Sequence, residues 1–173
     1  MTTRPDPTLL VEETITLAVE YGYFVVADEQ LDDPAAEQKA LHAALDSPLR
    51  AATARNVLVV LSPAADTYET PVAVEVWSAR AAEAGEWHHE VELDLLMPSG
   101  RLGVGTATQP SDLVEEVPIG SYRLLVSAWF DDEPTMPDSQ QHYRLRLWPR
   151  TAPTPPRLVR AWAGWSSCAN GGA

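Results

Sequence analysis

The stretch Trp87-His88-His89-Glu90-Val91-Glu92-Leu93-Asp94-Leu95-Leu96-Met97 decides the fold. On an extended backbone, Trp87, His89, Val91, Leu93, Leu95 and Met97 fall on one side, and His88, Glu90, Glu92 and Asp94 on the other. Successive side chains of a strand point to opposite faces, so this is a strand with one buried face and one wet, acidic face. Such a pattern suits an antiparallel sheet open to water on one side, not a parallel sheet covered on both.

The pattern recurs along the chain. Thr14 to Asp28 is rich in Thr, Val, Tyr and Phe and reads as a strand or strand pair broken at Gly22. Val57-Leu58-Val59-Val60-Leu61 is continuously apolar, as expected of a strand covered on both faces. Val72, Val74 and Val76 alternate with Ala73, Glu75 and Trp77. Tyr122, Leu124, Val126, Ala128 and Phe130 form another inward set, and Tyr143, Leu145 and Leu147 a last one, with Arg144 and Arg146 outside. Leu102 to Ala107 is a further strand candidate, and residues 109–116 read as a loop. The one helical stretch is Ala35 to Arg55, Ala-rich, with Leu41, Leu45 and Leu49 on one stripe and Pro48 as an interruption. The stripe is expected to lie against the sheet. These readings predict a mainly β fold: an antiparallel β-sandwich of about seven or eight strands with one short helical insertion near 35–55. The domain is expected over residues 14–149, after a loose acidic lead at 1–13. Residues 150–173 read as a Pro-rich linker and a largely flexible tail.

Charge narrows the function. The chain of 173 residues holds 25 acids and 12 bases, a net charge of −13. All 25 acids lie before residue 140, whereas Arg144, Arg146, Arg150, Arg157 and Arg160 come after it with no acid among them. A field this negative repels phosphate backbones, so direct nucleic-acid binding is not expected, while a basic protein partner would be steered in. No apolar run approaches the ~20 residues that span a bilayer. Residues 1–7 lack a charged start followed by an apolar stretch, so no secretion signal is expected. The only cysteine, Cys168, allows no internal disulfide, which fits a cytoplasmic location.

Reactive chemistry is sparse. His88 and His89 point to opposite faces and cannot share a metal, whereas His88, Glu90 and His142 form a conceivable ligand set whose convergence nothing in the sequence fixes. Glu90, Glu92 and Asp94 are either carboxylates for hydrolysis or partners of Arg123, Arg144 or Arg146 across strands, and ion pairing is favoured. Asp131, Asp132, Glu133 and Asp138 share a loop but lack the spacing and glycine of a calcium site. No Gly-x-Ser-x-Gly elbow occurs, Cys168 has no base held beside it, and no catalytic residue, metal or cofactor is implied. Trp77, Trp129 and Trp148 fall on the non-core faces of their strands and could form an aromatic platform for a carbohydrate or small ligand.

Several spaced features resemble the competence protein J family, small inhibitors of a DNA-entry nuclease. Tyr21-Gly22-Tyr23-Phe24 is similar to that family's Tyr-x-x-Phe before a short β-run. Pro118-Ile119-Gly120-Ser121-Tyr122 resembles its Pro-x-Gly-x-Tyr lead into a strand, followed here by Arg123, Leu124 and Trp129. An acidic loop and the Tyr143 to Leu147 strand follow in similar order, over about residues 14–149. The chain departs from the family where the Ala-rich segment replaces a Trp-containing stretch, and in its tail beyond Pro149. The resemblance implies a non-catalytic acidic β domain that engages a protein, in the manner of a nuclease inhibitor or immunity protein. Glu90, Glu92, Asp94, Asp131, Asp132 and Glu133 are then the expected partner-binding residues.

Overall fold

The computed structural model describes residues 6–29, 33–109, 111 and 113–168. Eleven strands form two sheets that pack face to face. The strands are β1 (Leu9–Leu17), β2 (Tyr23–Asp28), β3 (Ala51–Ala54), β4 (Val57–Leu61), β5 (Thr70–Trp77) and β6 (His89–Met97). They continue with β7 (Arg101–Thr106), β8 (Leu113–Glu116), β9 (Gly120–Phe130), β10 (Gln141–Pro149) and β11 (Arg157–Arg160). Two helices, α1 (Pro34–Leu45) and the single-turn α2 (Trp165–Cys168), complete the described fold. The six-stranded sheet runs β1-β5-β10-β9-β6-β11, and the five-stranded sheet runs β3-β4-β2-β7-β8.

The expected β-sandwich is therefore present, with more strands than the sequence reading counted. One pairing departs from the antiparallel expectation: β10 runs parallel to β5, so the larger sheet is mixed. Alternation separates a one-side-open sheet from one covered on both faces, but a single parallel pair within such a sheet leaves each strand's alternation unchanged.

The alternation itself sets the core. Val91, Leu93, Leu95 and Met97 of β6, Leu124 and Val126 of β9, and Leu145 and Leu147 of β10 point inward and are fully buried or nearly so. They meet Phe24, Val26, Leu58, Val60, Leu102 and Val104 of the smaller sheet. The continuously apolar β4 is covered on both sides, since Val57, Val59 and Leu61 pack under α1.

Helix α1 starts where Asp33 caps it, its carboxylate accepting from the Ala36 N–H, with Pro34 at the first turn. It ends ten residues before the position expected from composition, because residues 51–54 extend into a strand paired with β4. The leucine stripe is also corrected: Ala36, Ala40 and Ala44 form the buried face, while Leu45 stands 53 % exposed. Alanines at i, i+4, i+8 let a helix approach a sheet closely, and the bulkier leucines are displaced to the flanks. Leu49 packs on the main core after the helix has ended.

Three further boundaries differ. The Thr14 to Asp28 segment is two strands in different sheets, joined by a turn in which Tyr21 and Gly22 take φ of 57° and 75°. Its first strand begins at Leu9, inside the segment expected to be a loose lead. Residues 113–116, read as loop, form an edge strand against β7. The tail after Pro149, expected to be largely flexible, instead adds β11 to the larger sheet and places Trp162 and Trp165 on the core.

Gly100 turns the chain between β6 and β7 at φ 74°, and a Cβ there would lie 2.6 Å from the Val117 carbonyl oxygen. Gly100→Ala is expected to destabilise the protein by about 1–3 kcal/mol, read from the shift of a urea unfolding midpoint.

Candidate functional site

The outer face of the larger sheet carries most of the residues singled out in the sequence. Strand register arranges them in four rows. His88, Trp129 and His142 form the first, because His89 pairs with Ala128 and Trp129 with His142. Glu90, Ser127 and Arg144 form the second, then Glu92, Leu125 and Arg146, then Asp94, Arg123 and Trp148.

The carboxylates of these rows are not wet. Glu90 and Glu92 are each only 4 % exposed. Glu92 receives three guanidiniums, from Arg80 at 2.7 Å, Arg157 at 3.0 Å and Arg123 at 3.4 Å. Asp94 is held by Arg123 at 3.0 Å, by Arg150, and by the Thr154 N–H at 2.9 Å. Glu90 accepts from Ser127 Oγ at 2.9 Å and faces Arg160 at 3.6 Å. Burial pushes the Asp94 carboxyl up, but the Thr154 N–H and the two arginines outweigh it and hold the group below its ordinary range. Three carboxylates thus meet five arginines, and four of those five (Arg80, Arg150, Arg157, Arg160) lie outside the cross-strand partners the alternation suggested. Arg123 pairs as anticipated, whereas Arg144 and Arg146 donate instead to the Ala84 and Ala82 carbonyls of the loop at 78–88. That loop and the residues after Pro149 cover the face that the sequence pattern left open to water. No alternation rule encodes a covering segment; its signal in the sequence is Arg150, Arg157 and Arg160 after Pro149 without one acid.

Trp87 is the one residue of the opening stretch on the unexpected side. Strand β6 begins only at His89, and Trp87 turns outward to sit edge-on to His142 at 5.4 Å, under Arg144 at 4.7 Å. His88 and His142 stack on Trp129, at 5.6 and 4.9 Å. The indole lies between the two imidazoles, and Glu90 is engaged with Ser127, so the three do not converge on an ion. Among the described residues no group of three His, Cys, Asp or Glu side chains could hold a metal.

The tryptophans do not form one platform. Trp148 and Trp129 occupy the fourth and first rows, six residues apart along β10, roughly 20 Å at ~3.3 Å per residue. Arg80 lies 5.4 Å over Trp148, and Trp77 bonds Glu75 at 2.8 Å.

The acidic loop at 131–138 behaves differently from the strand carboxylates. Asp131 spends its carboxylate on its own loop, accepting from the Glu133 N–H at 3.0 Å and the Gln140 N–H at 2.6 Å. This is an Asx-type arrangement that fixes the turn. Asp132, Glu133 and Asp138 remain exposed, beside an exposed Met136, and no ion pair holds them among the described residues. A second acidic concavity of about 370 Å³ lies between α1 and β7, lined by Asp28, Glu29, Asp33 and Glu37.

His89 ties the C-terminal segment to the body. Its Nε2 lies 2.8 Å from the Leu49 carbonyl and its Nδ1 accepts from the Trp162 N–H at 3.3 Å, which assigns the neutral Nε2–H tautomer. Burial lowers the pKa of His89, and burial together with the His88 charge lowers that of His142. A depressed folded pKa means stability that is complete above the unfolded value of 6.5 and is lost as pH falls through the folded value. The melting temperature is therefore expected to fall between pH 7.5 and 5, with a smaller fall in His89→Gln.

The fold and site define a class: a two-sheet β domain whose C-terminal segment covers one sheet face with arginines. Comparison with solved structures places it beside ComJ, the inhibitor of the DNA degrading activity of NucA, from Bacillus subtilis. That match has a TM-score of 0.57 and 12 % identity, and covers 84 % of this chain and all of ComJ. A protein described as crocagin biosynthetic gene J matches with a TM-score of 0.52 and 20 % identity, over 82 % of this chain and 99 % of that one. At these identities the likeness is one of fold. No protein-family model and no curated protein sequence matches the chain.

Proposed function

We propose that this chain is a non-enzymatic, inhibitor-like domain that binds a basic protein, with a DNA-degrading enzyme as the partner class. The reading rests on one observation. The 131–138 loop is braced internally by Asp131, so that Asp132, Glu133 and Asp138 are presented to solvent without counter-ions among the described residues. Pre-ordered, unpaired carboxylates keep their field available for a partner, whereas Glu90, Glu92 and Asp94 are neutralised at home by arginines. The likeness to ComJ supports the same direction, since that protein inhibits a DNA-degrading enzyme. A fixed anionic loop would occupy the surface such an enzyme keeps for phosphates.

The test is inhibition of a purified DNA-degrading nuclease of the NucA kind. DNA cleavage is expected to stop at near-stoichiometric amounts of this protein, less so at high salt because exposed charges are screened. Asp132→Lys with Glu133→Lys is expected to weaken inhibition at least tenfold while leaving the melting temperature unchanged. Neither inhibition nor a complex on size-exclusion chromatography at micromolar concentration would end this reading.

A further inference from the structure

On the opposite side of the sandwich from the arginine cluster lies a groove. It runs between the C-terminal half of α1, the Tyr21–Tyr23 turn, residues 61–65 and Trp165, with a volume of about 590 Å³. Its walls are apolar: Leu41, Leu45, Leu61, Pro63, Ala64 and the Trp165 indole. Tyr21, 73 % exposed, and Leu45 flank it, large apolar side chains that folding has left in water. Its volume is that of a small-molecule site.

Among the described residues one charged side chain lines this groove. Arg50 stands with its guanidinium 5.5 Å over the Trp165 ring. Its guanidinium donates to the Leu45 carbonyl at 3.4 Å, and its Nε has no hydrogen-bond partner among the described residues. Acids outnumber bases 25 to 12, and Arg80, Arg123, Arg150, Arg157 and Arg160 all meet carboxylates, whereas Arg50, like Arg144 and Arg146, meets none among the described residues. Its backbone is held at φ 55°, a conformation that costs a non-glycine residue energy. Hydrogen bonds on both sides enforce it: Arg50 N–H to the Ser47 carbonyl at 3.2 Å, and Leu61 N–H to the Arg50 carbonyl at 2.9 Å. The fold thus fixes an unpaired guanidinium at the edge of an apolar cleft.

From this geometry we propose that the groove binds a small carboxylic acid with an apolar body. The carboxylate sits on the Arg50 guanidinium, whose planar fork matches two oxygens. The apolar body lies against Leu41, Leu45 and Tyr21 and removes their surface from water. This site is independent of the 131–138 loop and of the proposed nuclease partner.

Isothermal titration with 4-phenylbutyrate and octanoate tests the assignment, with the corresponding primary amides as uncharged controls. The acids are expected to bind saturably, at least tenfold more tightly than the amides, and to shift tryptophan emission. Arg50→Asn, chosen because asparagine tolerates positive φ, is expected to remove that tenfold preference. Leu45→Asp, at an exposed position that threatens no core packing, is expected to abolish binding by placing a like charge in the groove. Asp132→Lys with Glu133→Lys is expected to leave acid binding unchanged. Equal binding of acid and amide, or no saturation within solubility, overturns the proposal. So does tenfold tighter binding of the tripeptide Ala-Ala-Phe, which would assign the groove to a peptide end instead.

Discussion

Arg123→Met is expected to lower the unfolding free energy by about 3–5 kcal/mol, the range for removing one partner of a buried ion pair. Arg123 is 6 % exposed and joins four acceptors: Glu92, Asp94 and the carbonyls of Thr154 and Pro155. Methionine keeps much of the volume but leaves the Glu92 and Asp94 carboxylates short of a partner in a largely buried site, with Arg80, Arg150 and Arg157 as partial replacements. Urea denaturation followed by circular dichroism gives the magnitude. The two carbonyls belong to the segment that leads into β11, so amide exchange of residues 157–160 is expected to accelerate before that of the β9–β10 pair. The gap between wild type and variant has a pH signature. Asp94 has a folded pKa held below its unfolded value of 3.8, so its contribution is complete above that value and is lost as pH falls through the folded one. The difference between the two proteins is therefore expected to shrink below about pH 4. A loss under about 1 kcal/mol at neutral pH would show the cluster to be solvated and the cover loose.

Phe130→Ala is the second large effect, again about 3–5 kcal/mol, here from a cavity in the core. Phe130 is 1 % exposed and touches aromatic groups from two segments: Trp162 at 4.5 Å and Trp165 at 5.8 Å from the C-terminal segment, and Tyr143 of β10 at 6.1 Å between ring centroids. It is the junction through which the C-terminal tryptophans reach the sandwich interior. The variant should show a red-shifted emission even where it remains folded, because Trp162 and Trp165 lose their shared neighbour. Thermal unfolding monitored by fluorescence and by far-ultraviolet dichroism checks both parts. Retention of the wild-type emission maximum would mean that the tail is held by the β11 pairing, its arginine ion pairs and the His89 contact without Phe130.

The elements that were legible in the sequence share a property. Strands β4, β5, β6, β9 and β10 each carry an inward apolar set strong enough to be read residue by residue, and burial agrees with nearly all of it. The exceptions are informative. Trp87 precedes its strand and escapes the alternation. The segment Ala51–Ala54 is composed like a helix but pairs as a strand, because the hydrogen bonds offered by β4 outweigh a modest local preference. The short β8 and β11 have too few residues for a period to declare itself, and they exist because a neighbouring edge offers unpaired N–H and C=O groups.

For the sites the division is sharper. Glu90, Glu92 and Asp94 were correctly placed on one face, and Arg123 was correctly offered as a cross-strand partner. Their pairing with Arg80, Arg150, Arg157 and Arg160 depends on segments up to 70 residues away, folded back by the sandwich. The Arg50 groove likewise gathers residues from Tyr21 to Trp165.

By itself, then, the sequence determined which side of each long strand is buried, because a two-residue period is a local consequence of backbone geometry. It also determined the net charge and the absence of a nucleophile motif. Only the tertiary structure decided which carboxylates reach solvent, which arginines go unpaired, and that one strand pair runs parallel. Those outcomes depend on which distant segments meet, and a meeting in space leaves no period in the chain.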